Sequence, residues 1–132
     1  MIKGIVFGSF DLLHAGHIHL LKQCKKRCDW LIVGLHHDPS IERKDKNKPV
    51  ESIFEREIRL RGCKYVNEIV VYEREEDLRN ILKYFNVHVR FLGSDYQVPR
   101  MIKPVTAQDE VEIQYIDSLP ITSSELRKRI QK

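Results

Sequence analysis

The sequence feature that most constrains the fold is a regular alternation of short apolar runs with segments of helical periodicity. The run at 30–35 is apolar throughout, which is typical of a strand covered on both faces. This alternation predicts an α/β fold: a doubly wound parallel sheet of about five strands, with helices on both faces in three layers. The predicted strands are residues 5–7, 30–35, 68–72, 87–92 and 110–116, and the predicted helices are 18–28, 52–61, 77–85 and 122–130.

The limits of these elements rest on periodicity and on capping signals. In the first helix Ile18, Leu21 and Cys24 recur on one side, with lysines on the other. Gly62 ends the second helix, and Thr122 with Glu125 forms a capping box for the last one. The segment 110–116 alternates apolar with polar residues, which predicts a half-exposed edge strand.

Composition narrows the class of protein further. With 132 residues, 42% apolar and 32% charged, residues 1–132 are expected to form one globular domain rather than a disordered chain. The net charge of +4 fits an anionic ligand such as a nucleotide but is too small to indicate nucleic-acid binding. Three cysteines without metal-site spacing indicate reduced thiols, and no apolar run is long enough for a membrane span, so we expect a cytoplasmic protein.

The segment that carries chemistry lies between the first strand and the first helix, at residues 8–17. At that position backbone N–H groups and the helix dipole can bind a phosphate. His14 and His17 flank Gly16, so both imidazoles can converge at the start of the helix, where the glycine admits a ligand close to the backbone. Two such donors could stabilise the charge that develops on a phosphate in a transition state.

Other interpretations of these histidines stay open. They could be packing or capping residues, or they could bind zinc together with His19. His17 and His19 are two positions apart and would point away from each other on a helix, which argues against zinc. His36 and His37 could be solvated, or they could line the crevice at the strand ends.

The run Gly8-Ser9-Phe10-Asp11-Leu12-Leu13-His14-Ala15-Gly16-His17 resembles the H-x-G-H signature of the cytidylyltransferase-like nucleotidyltransferases. Within that superfamily it is most similar to the glycerol-3-phosphate cytidylyltransferases, and the similarity extends over essentially the whole chain. The resemblance implies a Rossmann-like fold that transfers CMP from CTP to a small phosphorylated acceptor, such as glycerol 3-phosphate or another polyol or sugar phosphate, with release of pyrophosphate. It also implies a homodimer and a Mg²⁺ ion that is bridged by the triphosphate, with no protein side chain assigned to the metal.

The same resemblance assigns roles to particular residues. The implied catalytic residues are His14, His17, Lys44 and Lys46; the implied nucleotide-binding residues are Gly8, Ser9, Phe10, Gly16, Gly93, Asp95, Thr122, Ser123 and Ser124; and the implied acceptor-binding residues are Asp11 and Arg56. Less specific roles are open for several of them. The basic segment 43–48 could be a solvated charge run, Arg56 could pair with Glu51 or Glu55 on a helix surface, and Asp95 could cap a turn.

One segment departs from the glycerol-phosphate branch. That branch has Arg-Thr-x-Gly before its last motif, whereas this chain has Asp117-Ser118-Leu119-Pro120, without an arginine. Two alternatives to CTP chemistry stay open, and the missing arginine bears on the first. The first is an adenylyltransferase that uses ATP on a sugar phosphate or a cofactor precursor, and the second is a module that binds a nucleotide without catalysis.

Overall fold

A computed structural model of the chain describes residues 1–93, 111–117 and 123–130. The predicted order of elements is confirmed. The strands are β1 (Lys3–Gly8), β2 (Trp30–His36), β3 (Glu68–Tyr72), β4 (Val89–Gly93) and β5 (Glu112–Ile116), and the helices are α1 (Ala15–Lys25), α2 (Ile53–Arg61), α3 (Asp77–Tyr84) and α4 (Ser123–Ile130). The largest shift from the predicted limits is in α1, which begins at Ala15 rather than at Ile18 because the side chain of His14 caps it.

The five strands form one sheet in the order β3-β2-β1-β4-β5, and every neighbouring pair is parallel. The predicted parallel sheet and the edge position of β5 are therefore confirmed. The chain order reverses between β1 and β4, which lie side by side at the centre of the sheet. In sheets of this kind ligands bind beyond the carboxyl ends of the strands at such a reversal. The loop after β1 is at that position.

Apolar side chains pack on both faces of the sheet, in two separate clusters. Leu21 of α1 and Leu60 of α2 belong to one cluster, and Leu78 and Leu82 of α3 belong to the other. Helices therefore cover both faces, as predicted for a doubly wound fold. Cys24 is fully buried in the first cluster, and burial raises the pKa of its thiol to about 12, so the cysteine acts as a small apolar core residue. No helix in the described part of the chain has the length and apolar character to cross a membrane.

Candidate nucleotide site at the first strand end

The loop that joins β1 to α1 has a strained backbone. Phe10 has a φ of 47° and Leu12 a φ of 51°, and both residues carry a Cβ atom that disfavours this left-handed region. The ring of Phe10 is buried, with its centroid 5.5 Å from that of His17. Backbone strain of this kind persists only where neighbouring groups hold it, and it is found mainly at functional sites.

His14 and His17 lie together at the start of α1, as the sequence predicted. His14 is the N-cap residue, and its Nδ1 atom accepts a hydrogen bond of 3.0 Å from the backbone N–H of Gly16. The Nδ1 atom of His17 accepts one of 3.2 Å from the backbone N–H of His14. The two rings are stacked, with centroids 3.9 Å apart and an angle of 30° between their planes. The capping interpretation is thus correct for both Nδ1 atoms.

The same contacts define which nitrogen of each ring can act on a ligand. Because each Nδ1 accepts a hydrogen bond, the proton of each neutral imidazole is assigned to Nε2. Burial, and then the neighbouring His14, lower the pKa of His17 to about 4, although Asp11 opposes this change. Burial also lowers the pKa of His14. At neutral pH the pair therefore presents two uncharged N–H donors, and neither Nε2 atom has a hydrogen-bond partner among the described residues.

Arg56 joins the loops at the carboxyl ends of the first two strands. Its side chain is buried, with 2% of its surface exposed. The alternative that Arg56 pairs with Glu51 or Glu55 on a helix surface is therefore wrong. Nε donates to the carbonyl of Glu51, Nη1 donates to the carbonyls of Ser9 and His36, and Nη2 donates to the carbonyl of His37. These bonds leave one N–H of the guanidinium for any other group. The predicted contact with an acceptor stays a prediction, whereas a role in holding the loops together is visible.

Asp11 and Glu51 hold the loop after β1 against the residues that precede α2. The Asp11 carboxylate accepts hydrogen bonds from the backbone N–H groups of Val50, at 2.8 Å, and Glu51, at 2.9 Å. In return the Glu51 carboxylate accepts one of 2.8 Å from the backbone N–H of Leu12. The acceptor-binding role of Asp11 stays a prediction, since both of its oxygens already contact backbone. Glu51 was not among the predicted site residues, because only its place in the fold reveals the contact.

The basic segment after β2 differs from this loop. Lys44 and Lys46 are exposed. At the start of the segment, Arg43 forms an ion pair with Glu75, in the turn between β3 and α3, with Nε 2.6 Å from the carboxylate. The backbone N–H of Glu75 also donates to the Glu42 carboxylate, at 2.9 Å. The described contacts do not bring the two lysines to the histidine pair. Their predicted role therefore depends on a bound ligand.

The two histidines at the end of β2 have different environments. His36 is buried and stacks on Tyr72 with ring centroids 4.5 Å apart, so a solvated role for it is wrong. His37 is exposed at the strand ends, with its backbone N–H bonded to the carbonyl of Tyr72. In the described part of the chain, no group of three or more His, Cys, Asp or Glu residues could hold a metal ion, so the zinc interpretation has no support there.

Comparison with known proteins agrees with this geometry. The model of the cytidylyltransferase-like family matches residues 5–129. The chain belongs to that family. It is 38% identical over 94 residues to an FAD synthase of Thermococcus sibiricus and 32% identical over 130 residues to an ethanolamine-phosphate cytidylyltransferase of Arabidopsis thaliana. These matches cover 71% and 93% of this chain, but 64% and 31% of those relatives.

A further curated relative and a solved structure extend the comparison. The chain is 38% identical over 100 residues to the bifunctional protein HldE of a Caulobacter species. This match covers 75% of this chain and 20% of HldE. A solved structure, the lipopolysaccharide core biosynthesis protein of Thermoplasma volcanium, matches with a TM-score of 0.75 and 26% identity over 90% of this chain and 98% of that one. The chain spans 64%, 20% and 31% of the lengths of these three curated relatives, so it matches only part of each of them. Its place nearest the glycerol-3-phosphate branch stays a prediction.

The remaining predicted residues divide by position. Gly8, Ser9, Phe10 and Gly16 all lie in β1, in the loop after it, or in the first turn of α1. Gly93 ends β4, the strand beside β1, and a Cβ added there would meet nothing within 4 Å. Ser123 and Ser124 begin α4. Asp95 and Thr122, with the capping box assigned to Thr122, lie outside the described residues.

Proposed function

We propose that the protein transfers CMP from CTP to a small phosphorylated acceptor, such as a polyol or sugar phosphate, with release of pyrophosphate. The observation that carries this proposal is the stacked pair of neutral histidines at the reversal point of the sheet, each with its Nε2–H left for a ligand. Donors fixed in place before the reaction stabilise developing charge without reorganisation at the moment of transfer. A triphosphate beyond the end of β1 would place its α-phosphate against such donors.

The transfer itself is a single in-line displacement. A phosphate oxygen of the acceptor forms a bond to the α-phosphorus of CTP, the bond from that phosphorus to the bridging oxygen of the β-phosphate breaks, and pyrophosphate leaves with the electron pair. His14 and His17 donate hydrogen bonds to the oxygens on which charge increases, and neither needs to gain or lose a proton. Mg²⁺ enters with the nucleotide as part of the substrate complex, because its ligands there are phosphate oxygens.

The other site residues bind rather than react. Lys44 and Lys46 contact phosphate oxygens of the triphosphate or the acceptor, and their exposure lets them close on a ligand. Gly8, Ser9 and Gly16 border the phosphates, and the start of α4 supplies backbone N–H groups. From the family resemblance we also propose that the enzyme is a cytoplasmic homodimer and that Asp95 and Thr122 contribute to the nucleotide site.

A second candidate function changes only the nucleotide. The similarity to an FAD synthase, whose name implies a product that contains adenine, favours ATP as donor and AMP as the transferred group. The histidine pair contacts phosphates in both cases and therefore does not discriminate between the bases.

The first experiment is calorimetric titration of the protein with CTP and with ATP, each with Mg²⁺, followed by a pyrophosphate-release assay with a panel of polyol and sugar phosphates. Tighter binding of CTP, together with pyrophosphate release that depends on an acceptor, is the expected result. Preference for ATP would transfer the proposal to the adenylyltransferase alternative. Binding of a nucleotide without turnover on any acceptor would favour the non-catalytic module, and binding of neither would overturn the proposal.

A further inference from the structure

We propose that Glu51 is a positioning residue for the histidine pair, which it holds in place through the strained backbone at Leu12. The inference rests on the proposed function for its effect on catalysis, but not for its effect on the imidazoles. Glu51 lies outside the H-x-G-H segment, 37 positions beyond His14 in the sequence, and it touches neither imidazole in the described contacts.

The first step of the argument is the state of Leu12. Its φ of 51° is costly for a leucine, and a loop without support would relax toward negative φ. The backbone N–H of Leu12 donates to Oε1 of Glu51 at 2.8 Å. This bond is a long-range contact, 39 positions apart in the chain, and it links the strained residue to another element. Its loss would free the residue that lies two positions before His14.

The second step is that Glu51 itself is rigidly held. Only 8% of its surface is exposed, and each of its polar groups has a partner. Its backbone N–H donates to Asp11 at 2.9 Å, its carbonyl accepts from Nε of Arg56 at 3.2 Å, and its Oε2 lies 2.6 Å from Nε of Arg59. With its backbone held at both polar groups and its second carboxylate oxygen paired with Arg59, Glu51 presents Oε1 as a fixed acceptor, unlike a solvated carboxylate that could follow the loop.

The third step connects this anchor to the imidazoles. The tautomer of His17 depends on the backbone N–H of His14, and that of His14 depends on the backbone N–H of Gly16. Both bonds require the chain to enter α1 from one direction, which the conformation of Leu12 sets. If the loop shifts, the Nδ1 acceptors lose their donors, and the Nε2–H groups no longer have a fixed position. Shifts of about 1 Å in such groups cost roughly 100-fold in rate.

Three variants test the proposal. Glu51→Ala removes the acceptor, Glu51→Gln keeps an acceptor oxygen for the Leu12 N–H but not the ion pair with Arg59, and Glu57→Gln is the matched control. Glu57 is on α2, the helix that Glu51 precedes, and it pairs with Arg61 at 3.2 Å on the surface. The readouts are the ¹⁵N signals of the His14 and His17 side chains, which report the tautomers, and kcat and KM for pyrophosphate release.

The expected result is that Glu51→Ala mixes the histidine tautomers and lowers kcat roughly 10- to 100-fold, with a smaller change in KM. Glu51→Gln and Glu57→Gln should keep single tautomers and stay within about threefold of the parent kcat. Single tautomers and an unchanged kcat in folded Glu51→Ala would overturn the proposal. If the parent protein shows no turnover, the tautomer signals still decide about Glu51, while the absence of turnover counts against the proposed function alone.

A double-mutant cycle with Leu12→Gly covers the case in which Glu51→Ala does not fold. Glycine adopts a φ of 51° without strain, so Glu51 should matter less in that background. The double variant is expected to fold and to keep the histidine tautomers. A double variant that fails to fold, or that loses the tautomers as fully as Glu51→Ala, would show that Glu51 does not act through Leu12 and would overturn the inference.

Discussion

The loop after β1 and the basic segment 43–48 within the loop after β2 are built in opposite ways. The first, which carries His14 and His17, holds two strained residues and is tied by Asp11, Glu51 and Arg56 to neighbouring segments. The basic segment carries Lys44 and Lys46 as exposed residues, and Arg43 with the adjacent Glu42 ties its beginning to Glu75. Under the proposed function, the comparison teaches that donors to a transition state are held in place in advance, whereas charges that bind an incoming ligand lie on an exposed segment.

Replacement of the capping histidine gives the largest expected effect on this comparison. His14→Asn keeps a side-chain acceptor for the Gly16 N–H, because asparagine is a good N-cap residue, but it removes the Nε2 donor. We expect the rate of pyrophosphate release to fall roughly 100- to 1000-fold, as for loss of one fixed donor at a transition state. The melting temperature, measured by circular dichroism, should stay close to that of the parent.

Comparison of His14→Ala with His14→Asn separates the capping role of this residue from its role as a hydrogen-bond donor. His14→Ala loses the cap as well as the donor, so it should be as inactive as His14→Asn and also less stable by about 1 kcal/mol. His19→Asn, on the same helix, serves as the control with parental activity. An active His14→Asn would contradict the assignment of the Nε2 donor.

The ties of the first loop can be broken at Arg56. Arg56→Met keeps most of the side-chain volume but leaves the carbonyls of Ser9, His36 and His37 without their buried donor. We expect the free energy of unfolding to fall by about 3 kcal/mol in urea titrations, because several buried acceptors lose a charged donor together. Arg61→Met, which disrupts an exposed ion pair on the same helix, should change it by less than about 0.5 kcal/mol. Equal effects of the two variants would contradict the role given to Arg56.

Acid should lower the free energy of unfolding through His17, in the first turn of α1. Its pKa is lowered from 6.5 to about 4 in the folded protein, so between these values the unfolded chain binds a proton that the folded one does not. Stability is therefore lost as the pH falls through this interval, by roughly 3 kcal/mol at most, and the loss from this group ends below it. Urea unfolding of the parent and of His17→Asn at several pH values measures the difference, which isolates His17 from the carboxylates. If the free energy of unfolding of the two proteins changed in parallel with pH, folding would not lower the pKa of His17.

Changes in the basic segment 43–48 should have the smallest effect. They should alter the binding of ligands rather than the free energy of unfolding. Lys44→Ala or Lys46→Ala removes an exposed charge, so we expect the KM for the nucleotide or the acceptor to rise roughly tenfold with an unchanged melting temperature. The effect should shrink at high salt, because exposed charges are screened. Lys22→Ala, on the exposed side of α1, is the control. Loss of kcat at constant KM would place these lysines with the fixed donors instead.

The sequence predicted the fold and the position of the histidine pair because both depend on local pattern. Alternating apolar runs and helical spacing are short-range signals, and H-x-G-H after a strand is one too. It could not predict that His14 caps α1, since histidine is not a usual N-cap residue, and the predicted start was therefore three residues late. Nor could charge type show that Asp11 and Arg56 face backbone groups, or that Glu51 supports Leu12 across the chain. Those contacts exist only once distant segments meet.

The central position of β1 also has a consequence for the order in which the chain can assemble during synthesis. One side of β1 pairs with β2, beginning at Lys3 with Trp30, whereas its other side pairs with β4, where Gly4 meets Val89. A nascent chain that ends at β3 therefore has the histidine loop and its ties to α2, but one edge of β1 is unpaired. Such an edge is a template for pairing with other chains. The chain is thus most prone to association with other strands in the interval before β4 emerges.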